Sequence, residues 1–316
     1  RSLIMSCIDV NHLSKSYGSI KAVNDLILSV KKGQVFGFLG PNGAGKSTTI
    51  KLLTTLIRPS SGSLSILGID AISHPLKIRD KIGVVLQQPS YEPTLSVEKS
   101  LDKYGMMWNI PKIERKKRLE QLLKDFDLIE IRKKRNEDLS IGQRRRVQVA
   151  REFMHDMELL FLDEPTVGLD PEARRKLLDY LKNKVKTGLT IFYTTHILSE
   201  AEYLCDEIAI IDKGKILTVD SPDALKNRFG KEKTIKIHLL KKQSNISSLL
   251  LDIPDYEINF DTGTTIIIHS EQSELILLRV LKILNENNID IEDLSAVPTN
   301  LEDIFLKMMR ENASNN

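Results

Sequence analysis

Phe38-Leu39-Gly40-Pro41-Asn42-Gly43-Ala44-Gly45-Lys46-Ser47-Thr48-Thr49 is the stretch on which the fold of this chain turns. An apolar run, Val35–Leu39, leads straight into Gly40-x-x-x-x-Gly45-Lys46-Ser47. Ile50, Leu53, Leu56 and Ile57 then fall near one face of a helix expected over residues 45–58. Strand, glycine loop and helix, in that order, are the context a phosphate-binding loop requires. Glycines let the backbone wrap an anion without Cβ clashes, so several N–H groups can point inward. The new helix adds its unpaired N–H donors and the positive end of its dipole. Residues 40–48 are therefore read as a nucleoside triphosphate cradle, with Lys46 reaching the β- and γ-phosphates and Ser47 offering its hydroxyl to Mg²⁺.

Composition sets limits around that loop. A length of 316 residues implies about two domains, and 41% hydrophobic with 28% charged residues describes a globular protein able to build real cores. The formal net charge of +3 is too near neutral to argue for nucleic acid or an anionic membrane as a partner. Cys7 and Cys205 lie far apart in no metal-ligand spacing, which fits a reduced, cytosolic compartment with both thiols packed as small apolar groups. No apolar run approaches the ~18 residues a transmembrane helix needs, and no secretory signal pattern is present.

Before the loop, residues 6–40 read as β-rich, with Ile8 and Val10, then Leu26, Leu28 and Val30, alternating with polar neighbours around a turn at Tyr17-Gly18. After it come a strand near residues 63–67, a short helix near 75–79 and a buried strand Ile82-Gly83-Val84-Val85-Leu86 ending at Gln87-Gln88-Pro89. Residues 96–131 turn charged and helical, with Ile113, Leu119, Leu122, Leu123 and Phe126 spaced for one face, and the Lys/Arg runs there read as a solvated surface. Beyond residue 138 helices and strands alternate: helices over 142–155, 171–186 and 198–204, strands over 159–162, 189–193 and 207–211. That alternation implies a parallel sheet covered by helices, with the block near 96–138 as an insertion. From about residue 230 the order becomes β-(α)-β-β-α-β with a hairpin turn at Asp261-Thr262-Gly263 and a final capped helix, a small ferredoxin-like unit. The expected domains are residues 6–220 and 230–311, and residues 312–316 are expected to be disordered.

A second constellation is Leu159-Leu160-Phe161-Leu162-Asp163-Glu164-Pro165, an apolar strand ending in two adjacent carboxylates. Open α/β sheets place ligand chemistry at such strand ends. Successive side chains face opposite ways, so the two acids are expected to have different duties. Asp163 would hold Mg²⁺, directly or through water, and Glu164 would polarise the water that attacks the γ-phosphate.

Leu139-Ser140-Ile141-Gly142-Gln143, followed by Arg144-Arg145-Arg146-Val147 and Ala150-Arg151, resembles the signature motif of ABC ATPases and lies about twenty residues before the Asp-Glu pair. A helix N-terminus capped by Ser140 can contact a γ-phosphate through the Gly142 N–H. The resemblance implies that this phosphate belongs to ATP held by an opposing subunit, so Ser140, Gly142 and Gln143 complete a partner's site in a head-to-tail dimer. It further implies that Gln87 is the Q-loop residue touching Mg²⁺ and the attacking water. Asp170, in Gly168-Leu169-Asp170, lies in the D-loop that contacts the other subunit. His196, after Thr194-Thr195, is similar to the switch histidine bracing the γ-phosphate, and Tyr17 to the aromatic that stacks on adenine. Ile141 departs from the glycine usual at its position, and a β-branched residue there disfavours a positive φ, so a different local turn is expected.

Within the family, the tail Pro298-Thr299-x-Leu301-Glu302-Asp303-Ile304-Phe305-Leu306 is similar to that of daunorubicin-resistance type ATP-binding subunits. That resemblance implies an ATP- and Mg²⁺-dependent motor of an exporter, bound at the cytoplasmic side of the membrane to a separate permease that residues after Gln87, with Trp108, would grip. Its second ATPase subunit would be another copy or a homologue. A soluble ABC ATPase acting on ribosomes or DNA would carry tandem nucleotide domains or a long coiled-coil insertion, and this chain has neither. An unrelated GTPase or small-molecule kinase would leave the signature stretch unexplained, and no Asn-Lys-x-Asp motif appears.

Overall fold

A computed structural model describes residues 6–88, 90–229, 233–243, 246–250, 253, 256–259, 264–270, 273–298 and 300–314. Two compact units divide the chain, Arg1–Ser221 and Pro222–Asn316.

The first unit opens with β1 (Ser6–Tyr17) and β2 (Ile20–Lys31), an antiparallel pair whose alternate residues Ile8, Val10, Leu26, Leu28 and Val30 are buried. β3 (Val35–Leu39) is buried along its whole length. Next come α1 (Lys46–Leu53), β4 (Ser61–Ile66), β5 (Ile69–Asp70), α2 (Pro75–Arg79) and β6 (Ile82–Val85). Helices α3 (Val97–Met107), α4 (Lys112–Asp125) and α5 (Ile141–Glu152) precede β7 (Leu159–Asp163). The unit then runs through α6 (Pro171–Lys186), β8 (Thr190–Thr195), α7 (Leu198–Leu204), β9 (Glu207–Asp212) and β10 (Lys215–Asp220).

Two sheets result. One is four-stranded in the order β2-β1-β4-β5, and the other is six-stranded in the order β10-β9-β3-β8-β7-β6. Neighbours from β9 to β6 are parallel, and β10 closes the edge antiparallel. A parallel sheet is covered on both faces, which is why β3, β7 and β8 are near-continuous apolar runs with every residue buried. Phe192 is their meeting point, with ring centroids 5.7 Å from Phe36, 5.4 Å from Phe38 and 5.7 Å from Phe161. Parallel pairing brings the carboxyl ends of β3, β6, β7 and β8 to one edge, where the phosphate loop begins.

In the second unit α8 (Pro222–Phe229), β11 (Lys233–Leu239), α9 (Ile246–Leu249), β12 (Tyr256–Asn259), β13 (Thr265–Ser270), α10 (Ser273–Glu286), β14 (Ile291–Pro298) and α11 (Leu301–Ser314) follow in order. The sheet order β12-β13-β11-β14, with all pairs antiparallel, is the ferredoxin-like arrangement with appended helices. Ile235, Ile237, Ile266, Ile268, Val280 and Leu284 form its core.

Several elements differ from the sequence reading. α1 stops at Leu53, short of residue 58, because Thr54 turns its hydroxyl back onto Ile50 O at 2.7 Å and Thr55 adopts a φ of +60°. Leu56 is therefore exposed rather than on the buried face. The helical stretch 96–131 is broken at Asn109, φ +57°, ahead of Pro111, and Ile113 is exposed because within α4 it stands about 120° around the helix from the buried face of Leu119, Leu122 and Leu123. β10 is an additional strand; the left-handed pair Lys213-Gly214 folds it back on β9. α8 lies between the two expected domains and belongs to the second unit. Residues 312–314 are helical rather than disordered, because extending an existing helix adds a hydrogen bond for each residue fixed. The expected hairpin turn at residues 261–263 and residues 315–316 lie outside the described residues.

Candidate active site

Gly45 is the N-cap of α1 and holds φ +104°, and a Cβ there would overlap Ala22 O of β2. Only glycine meets both demands, so the loop is pressed against the first sheet and the first amides of α1 are left for a ligand. Lys46 is almost fully buried, donating from Nζ to Gly40 O at 2.7 Å and Pro41 O at 3.1 Å. Burial pushes its pKa below the ordinary lysine value, and the nearby Glu164 and Asp163 carboxylates act the other way. Ala44 N donates to Pro41 O at 3.2 Å, while Asn42 and Gly43 are exposed and Ser47 and Thr48 half-buried at the start of α1. Tyr17 stands exposed opposite Ile20 at the tip of the β1–β2 hairpin, and two residues further on Ala22 touches Gly45.

At the end of β7, Asp163 is buried and its Oδ1 accepts from Thr194 Oγ1 at 2.6 Å. Glu164 leaves the strand through a left-handed turn, φ +49°, an uncommon conformation for a residue with a Cβ. Its N–H donates to Thr194 O at 3.1 Å and Thr194 Oγ1 at 3.2 Å. Gln87 Nε2 donates to Glu164 Oε2 at 3.1 Å, and His196 Nδ1 lies 3.2 Å from Oε1. His196 is aimed by its neighbours: Thr195 Oγ1 donates to the buried Glu200 at 2.9 Å and accepts from Ile197 N at 2.9 Å. Four strand ends thus bring Lys46, Gln87, Asp163, Glu164 and His196 into one cluster.

The N-terminus of α5 forms a second cluster. Ser140 and Gln143 make a reciprocal capping box, Gln143 N to Ser140 Oγ at 3.2 Å and Ser140 N to Gln143 Oε1 at 3.0 Å. Gly142 packs on Gly168 and Leu169: a Cβ on it would stand 2.5 Å from Gly168 O. Gly168, at φ +80°, in turn lies under Ile141 Cγ2. Ile141 does not force a different turn, because it occupies the first helical position and carries no positive φ; its side chain is 65% exposed. Asp170 caps α6 by accepting from Ala173 N at 2.9 Å. Among the described residues, Ser140, Gly142 and Gln143 make no hydrogen bond to residues 40–48.

Two residues that the sequence reading does not single out as site residues sit inside the first cluster. Thr194 pins both acids, and Arg145 places its guanidinium on the Asp163 and Glu164 carbonyls. Arg145 is concealed in a run of three arginines, where charge alone suggests a solvated face.

The donor set suits Mg²⁺, a hard cation that takes few protein oxygens and completes its shell with water and phosphate. Gln87 commits its amide nitrogen to Glu164 and keeps its carbonyl oxygen for another partner. Ser47 contributes a hydroxyl and Asp163 a carboxylate. No group of three or more His, Cys, Asp or Glu side chains placed to hold a metal occurs among the described residues, so a cation held by this hydroxyl, amide and single carboxylate would fill its shell with water and phosphate oxygens.

Comparison with known proteins gives a consistent result. A family model described as "ABC transporter" matches residues 23–167. The linearmycin resistance ATP-binding protein LnrL of Bacillus subtilis is 33% identical, covering 95% of this chain and 97% of its own length. The daunorubicin resistance ATP-binding protein DrrA3 of Streptomyces coeruleorubidus is 31% identical, covering 96% of each. Among solved structures, a dimeric post-hydrolysis state of the ATP-binding cassette MJ0796 bound to ADP and Pi superposes with a TM-score of 0.64 at 27% identity. That match covers 68% of this chain and 98% of the cassette.

Proposed function

The chain belongs to the ABC transporter ATP-binding family, and on that premise we propose that it is the ATP-hydrolysing subunit of an antibiotic-type exporter. In this reading it works as an ATP-closed dimer on a separate membrane permease. The observation that carries the assignment is the convergence of Gln87 and His196 on the Glu164 carboxylate, beside Lys46 and Asp163.

Residues 40–48 surround the triphosphate with backbone amides, and Tyr17 offers its ring to adenine from the hairpin tip. Lys46 exchanges its bonds to Gly40 O and Pro41 O for the β- and γ-phosphate oxygens. Ser47, Gln87 and Asp163 would hold Mg²⁺, which when bound neutralises phosphate charge and orients the γ-phosphoryl group. Glu164 accepts a hydrogen bond from the attacking water and draws its proton. His196, bonded to Glu164, braces the γ-phosphate, and Gln87 sets the angle of the carboxylate. Positioning and electrostatics supply most of the rate in such a phosphoryl transfer.

Ser140, Gly142 and Gln143 are not bonded to the chain's own phosphate loop, so a second copy or a homologous ATPase subunit supplies that face to each nucleotide. Asp170 lies at the same junction. No helix among the described residues is long and apolar enough to cross a membrane, so the crossing is assigned to a permease, gripped at the cytoplasmic side by residues after Gln87, including Trp108. A soluble ABC ATPase acting on ribosomes or DNA is not favoured, because relatives aligned along almost the whole chain are resistance proteins. The test is Mg²⁺-dependent ATP hydrolysis by the purified chain and its loss in Lys46→Ala with the fold intact by circular dichroism. Full activity in that variant would overturn the phosphate-loop assignment.

A further inference from the structure

Arg145 lies on the first turns of α5, five residues beyond Ser140, yet its guanidinium is buried where β6 and β7 end. Nη2 donates to Asp163 O at 2.9 Å and Glu164 O at 2.6 Å. Nη1 donates to Leu86 O at 2.8 Å, the residue before Gln87, and to Gln148 Oε1 at 2.9 Å. Gln148 buttresses the contact by reaching Leu86 O and Gln88 O, each at 3.4 Å. One fork therefore ties α5 to the segment carrying Gln87 and to the left-handed backbone of Glu164. A non-glycine residue holds such a conformation only when its surroundings over-determine it. On the other side of Glu164, Thr194 is the matching restraint.

We propose that Arg145 is a positioning residue for hydrolysis, locking the Glu164 backbone and Gln87 to the helix whose N-terminus meets the opposing nucleotide. The inference rests on the functional reading above. Through this fork, seating Ser140 and Gly142 on a partner's ATP also sets the angle of the chain's own Glu164. Arginine suits this role because its planar five-donor guanidinium serves several acceptors at once, whereas a lysine ammonium is a single point.

Arg145→Gln and Arg145→Lys test it, with Mg-ATP turnover, binding of a fluorescent ATP analogue, thermal melting and the ATP-bound dimer of the Glu164→Gln background as readouts. Arg145→Gln should lower kcat about a hundredfold, the scale of an ångström-sized misplacement, while KM and dimer formation stay within about threefold. Arg145→Lys, which keeps the charge and can serve one or two of the carbonyls, should fall between. If Arg145→Gln does not fold, Gln148→Ala, which removes the buttress and leaves the guanidinium, is judged by the same split between kcat and KM. Unchanged kcat overturns the proposal, and so does a fall in kcat matched by equal losses of nucleotide affinity, dimer and melting temperature. A wild-type chain that fails to hydrolyse ATP would instead sink the functional reading itself.

Discussion

Replacing Glu164 by glutamine removes the carboxylate to which proton abstraction from water is assigned while leaving the surrounding bonds nearly intact. Glu164 Oε2 accepts from Gln87 Nε2 at 3.1 Å, and Oε1 faces His196 Nδ1 at 3.2 Å. A glutamine keeps an amide oxygen for Gln87 and turns its amide nitrogen toward His196, whose Nδ1 can accept in the appropriate tautomer. The backbone bonds to Thr194 and Arg145 are unaffected by the side-chain change. Stability should therefore move by no more than about 1 kcal/mol, the net worth of one altered hydrogen bond. Catalysis should not be spared. Loss of a positioned general base costs about 10²–10⁴ in rate, or ~2.7–5.5 kcal/mol of barrier. Phosphate release from purified Glu164→Gln should accordingly fall by at least about a hundredfold, with unchanged ATP affinity and a dimer in size-exclusion chromatography that persists in ATP. Turnover within about tenfold of wild type would refute the role given to Glu164, since no other carboxylate among the described residues shares the Gln87–His196 clasp.

Gly142→Ala would drive a methyl against Gly168 O, and backbone cannot yield as a side-chain tip can. The expected result is intact ATP binding with little ATP-driven dimer, read by chromatography in the Glu164→Gln background, at a stability cost of about 1–3 kcal/mol. Phe192→Ala empties the centre of four stacked or tilted rings and should cost about 3–5 kcal/mol in urea unfolding. Lys46 gives a pH dependence of definite sign. Its folded-state pKa lies below the unfolded value, so between the two the unfolded chain binds more protons and stability rises with pH. Phosphate favours the charged ammonium, so ATP affinity should instead weaken across the same alkaline window, with proton uptake visible by calorimetry in buffers of different ionisation enthalpy.

What is legible in the sequence is whatever backbone chemistry forces into few residue types. A loop that packs Gly45 onto Ala22 O and still leads into α1 has no alternative to glycine, and three strands buried on both faces have no alternative to apolar runs. Capping chemistry is equally readable at Ser140, because few side chains accept from the third helical N–H. What stays hidden depends on contacts distant in sequence. Arg145 among Arg144 and Arg146 looks like a solvated surface until β6 and β7 bring three carbonyls to it. The end of α1 hides in the same way, since Leu56 and Ile57 extend the helical period past Thr54, whose hydroxyl competes for the Ile50 carbonyl. Ile113 is apolar like Leu119, Leu122 and Leu123 but lies about 120° around α4 from them, so its residue type alone misplaces it on the buried face.

The turn at Glu164 gives adjacent carboxylates different surroundings, as the separate roles proposed for them require. Strand alternation alone would send the two side chains to opposite faces of the sheet. The left-handed φ of +49° instead takes Glu164 out of β7, to where Gln87 arrives from β6 and His196 from β8. Asp163 stays in the strand, fastened to Thr194 Oγ1, and together with Glu164 it acts against the burial that pushes the Lys46 pKa down. That conformation costs of order 1–3 kcal/mol, which the Thr194 and Arg145 bonds must offset. Both restraints act on the backbone and not on the carboxylate, so the carboxylate keeps its oxygens for water, Gln87 and His196. A substitution that relaxes the turn would therefore cost turnover before it costs nucleotide affinity, because the phosphate loop on β3 is built from separate contacts with β2 and α1. On the proposed roles, phosphate binding draws chiefly on the loop after β3 and water activation on the ends of β6, β7 and β8, so substitutions at the two places should separate affinity from turnover.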